Sequence, residues 1–243
     1  MDIPFFFAEQ LEPQLSNIKL DEANSRHIIQ VLRMKNNEKV QLTNGRGHLA
    51  TAAIVDANKK ACELTIEEVK QVAKTDQRKV AIGISPVKNT SRFEWFLEKA
   101  TELGVSEIFP LLCQRTVKEH FRFDRMNAIC VSAMLQSQQA WLPKLHQPAA
   151  FKIFVEQSIE ASSPHHYHQK WIAHCNEFEK HDLVKVLQPG MKDSLILIGP
   201  EGDFTPEEIM QAAANNFSAV ALGETRLRTE TAAVVAATVL MLC

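Results

Sequence analysis

The chain has 243 residues, 45% hydrophobic and 23% charged, with a formal net charge of −2 at neutral pH. That balance excludes the hydrophobic-poor, highly charged regime of disordered chains, and the length accommodates one large domain or two smaller ones. Five cysteines with no C-x-x-C pair argue against a disulfide framework or zinc knuckle and lead us to expect reduced thiols in the cytoplasm.

Residues 1–7 carry three phenylalanines but neither a basic leader region nor a small-residue cleavage site, so no signal peptide is expected. Around residues 25–34, Ile28, Ile29, Val31 and Leu32 mark a short helix bearing Arg26, His27 and Arg33. Strand-like runs follow at 40–43, 49–55 and 62–69, separated by an Asn44-Gly45 hairpin signal and a polar turn at 56–60. Short strands with tight turns predict a small β-barrel, which together with the helix forms an N-terminal unit.

Residues 71–78 are polar and charged, and beyond them strands alternate with helices, which places a domain boundary here: 1–72 and 73–243. The pattern predicts a strand at 80–85, a helix at 92–103 closed by Gly104, a strand at 105–112 and a helix at 124–141 stopped before Pro143. Helices between strands imply an α/β domain with a parallel sheet. The stretch 158–169 reads as a loop, and its His165, His166 and His168 lack a carboxylate or cysteine at ligand spacing, so no metal site is expected.

Charge is distributed unevenly. Residues 78–152 hold 11 basic and 6 acidic side chains, whereas 153–243 hold 6 and 12, so the middle third is suited to a polyanion.

The apolar run 194–198 is a buried strand, broken by Gly199-Pro200-Glu201-Gly202. Thr205 then offers an N-cap, Pro206 a first helical residue and Glu208 a capping-box partner. The grammar repeats: a strand at 219–222, a loop at 223–228, and Thr229 capping a final helix. That helix, 231–242, is apolar nearly all round and is therefore expected to be buried, either in the core or in dimer packing; the apolar run 231–243 falls short of the roughly 20 residues of a membrane span. In open parallel sheets, ligands bind outside the carboxyl ends of strands, so the two loops should share one pocket. Arg226, Arg228 and Glu230 crowd one helix start, where the positive helix end disfavours extra cations. Neither a dinucleotide fingerprint nor a P-loop occurs.

These loops, Ile198-Gly199-Pro200-Glu201-Gly202-Asp203-Phe204 and Leu222-Gly223-Glu224-Thr225-Arg226-Leu227-Arg228-Thr229-Glu230-Thr231-Ala232, resemble those of the ribosomal small-subunit methyltransferase E family of SPOUT methyltransferases. His27 to Met34 resembles the family's H-x-x-x-V-L-R segment, Lys99 to Val105 its K-A-T-E-L-G-V block, and Arg115 follows at the expected distance. Asp203 stands where the family usually has glycine, and the 135–139 segment lacks the Glu and Arg that commonly flank its central Q-S.

The resemblance implies a PUA-like N-terminal barrel that binds RNA, a C-terminal α/β trefoil-knot domain, S-adenosylmethionine as methyl donor, a homodimer, and N3 methylation of a uridine in 16S rRNA of the small ribosomal subunit. It implies cofactor contacts from Ile198, Gly199, Pro200, Glu201, Gly202, Leu222, Gly223, Leu227, Arg228 and Thr231. For the chemistry, Arg228 is the expected cation at the reacting base, with Glu230 orienting it or accepting the proton. Arg26, Arg33, Lys88, Arg92, Lys99 and Arg115 are the expected phosphate contacts. The rival readings are a SPOUT enzyme methylating a tRNA ribose hydroxyl, a group that usually has an asparagine-rich last loop, and a non-catalytic ribosome-assembly RNA-binding protein.

Overall fold

A computed structural model describes residues 3–74, 78–117, 120–158, 167–177, 179–187 and 193–242. The chain forms two compact units, one from Met1–Asp76 with Val131–Leu142, the other from Gln77–Cys130 with Pro143–Cys243.

In the first unit, β1 (Phe5–Phe7), β2 (Asn17–Lys19), β3 (Lys39–Thr43), β4 (His48–Asp56) and β5 (Glu63–Gln71) form a sheet in the order β1-β3-β4-β5-β2, with β1 parallel to β3 and the other pairs antiparallel. Alternation buries Val40, Leu42, Ala50, Ala52, Ile54 and Leu64 on one face. Register shifts after Thr51 and Ile54 mark bulges, the device that bends a strand toward a half-barrel.

The helix expected at 25–34 begins earlier and ends differently. Asp21 caps α1 (Glu22–Arg26) by accepting from the Asn24 N–H at 2.8 Å, and a π-helical turn follows over His27–Val31. The wider turn keeps Ile28 fully buried while Val31 and Leu32 stay exposed, and Arg33 ends it at φ 57°. The Asn44-Gly45 signal is a four-residue loop. The buried Asn44 side chain accepts from the backbone N–H of Arg46 at 2.8 Å, building the turn locally.

The second unit comprises β6 (Val80–Ile84), α2 (Thr90–Leu103), β7 (Glu107–Leu112), the start of α3 (Phe123–Gln136), β8 (Lys144–Leu145), β9 (Ala149–Ala150), α4 (Phe151–Gln157), β10 (Gln169–Ala173), β11 (His181–Asp182), α5 (Leu183–Val186), β12 (Ser194–Ile198), α6 (Pro206–Ala214), β13 (Ser218–Ala221) and α7 (Thr229–Leu242). Its sheet runs β11-β13-β10-β12-β6-β7-β8 with every pairing parallel, β9 adding to β7. Strand β12 lies between β10 and β6 and is buried throughout, which explains its uninterrupted apolar sequence. Phe109, Phe151, Phe154, Phe204 and Phe217 fill one core.

Two expectations are corrected. The helix expected to reach residue 141 stops at Gln136: Gln138 takes φ 54°, and residues 140–142 pair with the 44–47 loop of their own unit, through Gly47 N–H to Ala140 O and Leu142 N–H to Gly45 O, both 2.8 Å. Thr229 is the first helical residue of α7 rather than its cap, because Arg228 O already accepts from the Ala232 N–H at 2.8 Å. Helix α7 is not buried all round: Ala233, Ala236, Ala237 and Leu240 are buried, while Val234, Val235 and Val239 are half-buried and Leu242 is exposed. Its inner face packs on α2, β6 and β12.

Most of the 158–169 loop, including His165 and His166, lies outside the described residues. Among the described residues, no cluster of His, Cys, Asp or Glu is placed to hold a metal, and no helix is long and apolar enough to cross a membrane.

Candidate active site

The strands β10, β12 and β13 are neighbours and parallel, so their carboxyl-end loops meet on one side of the sheet around a cavity of about 870 Å³. That volume falls within the range of small-molecule sites, about 300–1,000 Å³.

The loop after β12 is fixed from several directions. Thr205 and Glu208 form the expected capping box, and the buried Glu208 also accepts from the Gln114 N–H at 2.8 Å, so one carboxylate sets both the start of α6 and the chain after β7. Glu201 accepts from the Lys88 N–H at 3.0 Å, and the Arg115 guanidinium donates to Gly202 O at 2.7 Å. A Cβ on Gly199 would lie 3.1 Å from the Phe204 nitrogen, so close packing selects glycine there.

Asp203 adopts φ 63°, a left-handed conformation that accounts for glycine at this place in the resembling family. Here the carboxylate adds a tie. It accepts from the Cys175 N–H at 2.9 Å and the Asn176 amide at 3.2 Å, joining the loop after β10 to the loop after β12. Lys180 donates to His174 O at 3.2 Å and Asn176 O at 2.8 Å, closing the same loop from the other side. Burial, and secondarily the Lys180 charge, lower the pKa of His174, outweighing the opposing effects of Asp203 and a backbone hydrogen bond to Asn176.

The loop after β13 is different. Gly223 sits at φ 131°, a conformation that disfavours any other residue, and a Cβ there would meet nothing within 4 Å. Leu222 and Leu227 are half-buried and residues 223–226 exposed. Among the described residues, no side chain bonds to residues 222–228. Backbone amides and carbonyls therefore border the cavity without partners from other side chains.

Of the ten residues expected to hold the cofactor, nine line this cavity, from Ile198 to Gly202 and at Leu222, Gly223, Leu227 and Arg228. Thr231 does not; it borders a smaller adjoining cleft of about 330 Å³. Glu230, only 6% exposed, faces Arg92, with Nε to Oε1 at 3.6 Å, and not Arg228. Side chains two apart on a helix start diverge, which corrects the expected pairing.

Of the expected phosphate contacts in this unit, Arg92 lines the cavity, Lys88 and Arg115 bind its first loop, and Lys99 lies farther along α2, paired with Glu102 at 2.7 Å. In the other unit, Arg26 pairs with Glu22 at 2.6 Å and Arg33 is exposed. Sequence reasoning missed the wall formed by His174, Cys175 and Lys180. Its signal was the run Trp171-Ile172-Ala173, a third buried strand followed by a polar loop.

Comparisons with known proteins agree with this geometry. A crystal structure of a probable rRNA-methyltransferase from Porphyromonas gingivalis is 34% identical and superposes with a TM-score of 0.86, covering 97% of this chain and 95% of that one. A ribosomal RNA small subunit methyltransferase E from Neisseria gonorrhoeae, crystallised with S-adenosyl methionine, is 26% identical with a TM-score of 0.83, covering 97% of this chain and 95% of that one. The protein of the same name from Buchnera aphidicola is 27% identical over 231 residues, 91% of this chain and 86% of its own. An RNA methyltransferase PUA domain model matches residues 20–67. With the RNA methyltransferase domain model matching residues 74–241, well over half its length, the chain belongs to the RNA methyltransferase family.

Proposed function

We propose that this protein transfers the methyl group of S-adenosylmethionine to N3 of a uridine in 16S rRNA of the small ribosomal subunit, acting as a cytoplasmic homodimer. The carrying observation is the cradle after β13: glycine at φ 131° beside open space, and backbone at residues 222–227 bonded by no side chain among the described residues, facing a cavity of about 870 Å³. Such a cradle suits an adenosine, whose ring edge seeks backbone donors and acceptors, and the relatives named for this activity favour the same ligand.

Bound there, S-adenosylmethionine supplies an electrophilic methyl group on a sulfonium. The chain's own work is then largely positioning. Gly199, Gly202, Leu222 and Leu227 hold the adenosine by backbone groups. The Arg228 guanidinium stabilises negative charge on the uracil carbonyl oxygens as N3 loses its proton, and Glu230 is the nearby carboxylate that accepts it.

Residues 1–72 act as the RNA-binding domain and 73–243 as the catalytic one, a reading supported by the extents of the two matching models. The trefoil knot is supported by the path after β12: β13 lies across β10 from β12, yet α7 returns to pack on α2, β6 and β12. The half-buried apolar face of α7 supports the dimer.

Calorimetry with S-adenosylhomocysteine, followed by mass spectrometry of 16S rRNA from a deletion strain, tests the proposal. Micromolar binding and loss of one 3-methyluridine are expected; absence of both refutes it, and a single 27.4 kDa species on sedimentation refutes the dimer.

A further inference from the structure

Beside the large cavity, and sharing Arg92, Arg228 and Glu230 with it, lies the cleft of about 330 Å³ closed by Ser91, Trp95 and Thr231. Trp95 stands out on α2. Its neighbours Phe93 and Phe96 are buried, yet the indole is 41% exposed. An exposed indole in a cleft that also holds two arginines is suited to a flat, polar-edged ring.

The cleft also presents hydrogen-bonding groups of both kinds. Arg92 and Arg228 are donors only, and the buried Glu230 carboxylate, 3.6 Å from Arg92 Nε, is an acceptor. Two donors and an acceptor complement the two carbonyls and the N–H along the pairing edge of uracil. Cytosine, with an acceptor at N3 and a donor at N4, does not match.

We propose that this cleft is the nucleobase subsite, with the target uracil stacked on Trp95 and its pairing edge read by Arg92, Glu230 and Arg228. This rests on the methyl-transfer reading for its purpose but not for its test. Trp95 acts as the stacking surface, and the shared wall of Arg92, Arg228 and Glu230 brings the base to the edge of the large cavity.

The test uses the whole protein with Trp95→Ala and Trp95→Phe. Trp95→Ala should raise KM for small-subunit rRNA about tenfold to a hundredfold, the range for losing one base–aromatic stack. Trp95→Phe should recover most of it, with S-adenosylhomocysteine affinity and sedimentation unchanged in both. Oligouridylate should quench wild-type indole emission more than that of Trp95→Phe, and oligocytidylate should quench less. An unchanged KM in Trp95→Ala, or equal quenching by the two oligonucleotides, overturns the proposal. So does a Trp95→Ala protein that falls from dimer to monomer, which would assign the indole to contact between copies. If the wild type binds no S-adenosylhomocysteine while oligouridylate still quenches Trp95, methyl transfer fails and the base subsite stands.

Discussion

The loop from Gly199 to Phe204 is held by the Arg115 side chain, the Lys88 backbone N–H and the Cys175–Asn176 segment, whereas no side chain among the described residues holds the loop from Leu222 to Arg228. Both border one cavity, so the difference divides the labour. The first loop is preorganised and adds little ordering cost on binding; the second must be ordered by what it binds and can adapt to it. Changes to the tied loop should therefore register first as stability, and changes to the untied loop first as function.

The sharpest case is Arg228→Ala. The side chain is exposed and bonded to nothing within the described residues, so the melting temperature should hold while methyl transfer falls about 10²- to 10³-fold. Unchanged turnover in a kinetic assay would remove its role. Next come the glycines. Gly223→Val strains a φ of 131° at roughly 1–3 kcal/mol and projects into open space beside the cavity, so S-adenosylhomocysteine affinity should drop about tenfold or more. Gly199→Ala pushes against Phe204, so its urea midpoint should fall instead. Reversed outcomes for the pair would break the comparison.

A smaller effect is expected at Asp203. Asp203→Ala loses the bonds to Cys175 and Asn176 but keeps an unfavourable left-handed residue, costing about 1–2 kcal/mol in urea unfolding; Asp203→Gly relieves the backbone and should cost less. Equal losses would mean that the ties, not the backbone, set the cost.

The least effect concerns pH. Because the pKa of His174 is lowered from 6.5 by burial, the unfolded chain takes up its proton first as pH falls. The neutral ring's contribution is therefore complete above about 6.5 and lost below it, and cofactor affinity should weaken over the same range as a second positive charge arises near Lys180. Calorimetry at pH 5.5 and 7.5 should show that difference in the wild type and a flatter response in His174→Gln.

The tied loop was also the more legible one. Strand β12 and the Thr205-Pro206-Glu208 start of α6 were readable because an apolar run and a capping box act over a few residues. The Gly199 and Gly223 turns were readable for the same reason. The third wall, His174 to Lys180, was not, since nothing near it states that β10 lies between β12 and β13. Likewise, 3.6-residue periodicity carried α3 on to residue 141, but pairing of residues 140–142 with the distant 44–47 loop ended it at Gln136.

What the sequence by itself determined were the local devices, namely caps, turns, buried strands and the two loop motifs, whose hydrogen bonds close within about five residues. What only the tertiary structure decided was partnership: Glu230 with Arg92, Asp203 with Cys175 and Asn176, Glu208 with Gln114, and which face of α7 is covered. Those pairings depend on strand order and on the path of the chain, which no short-range propensity encodes.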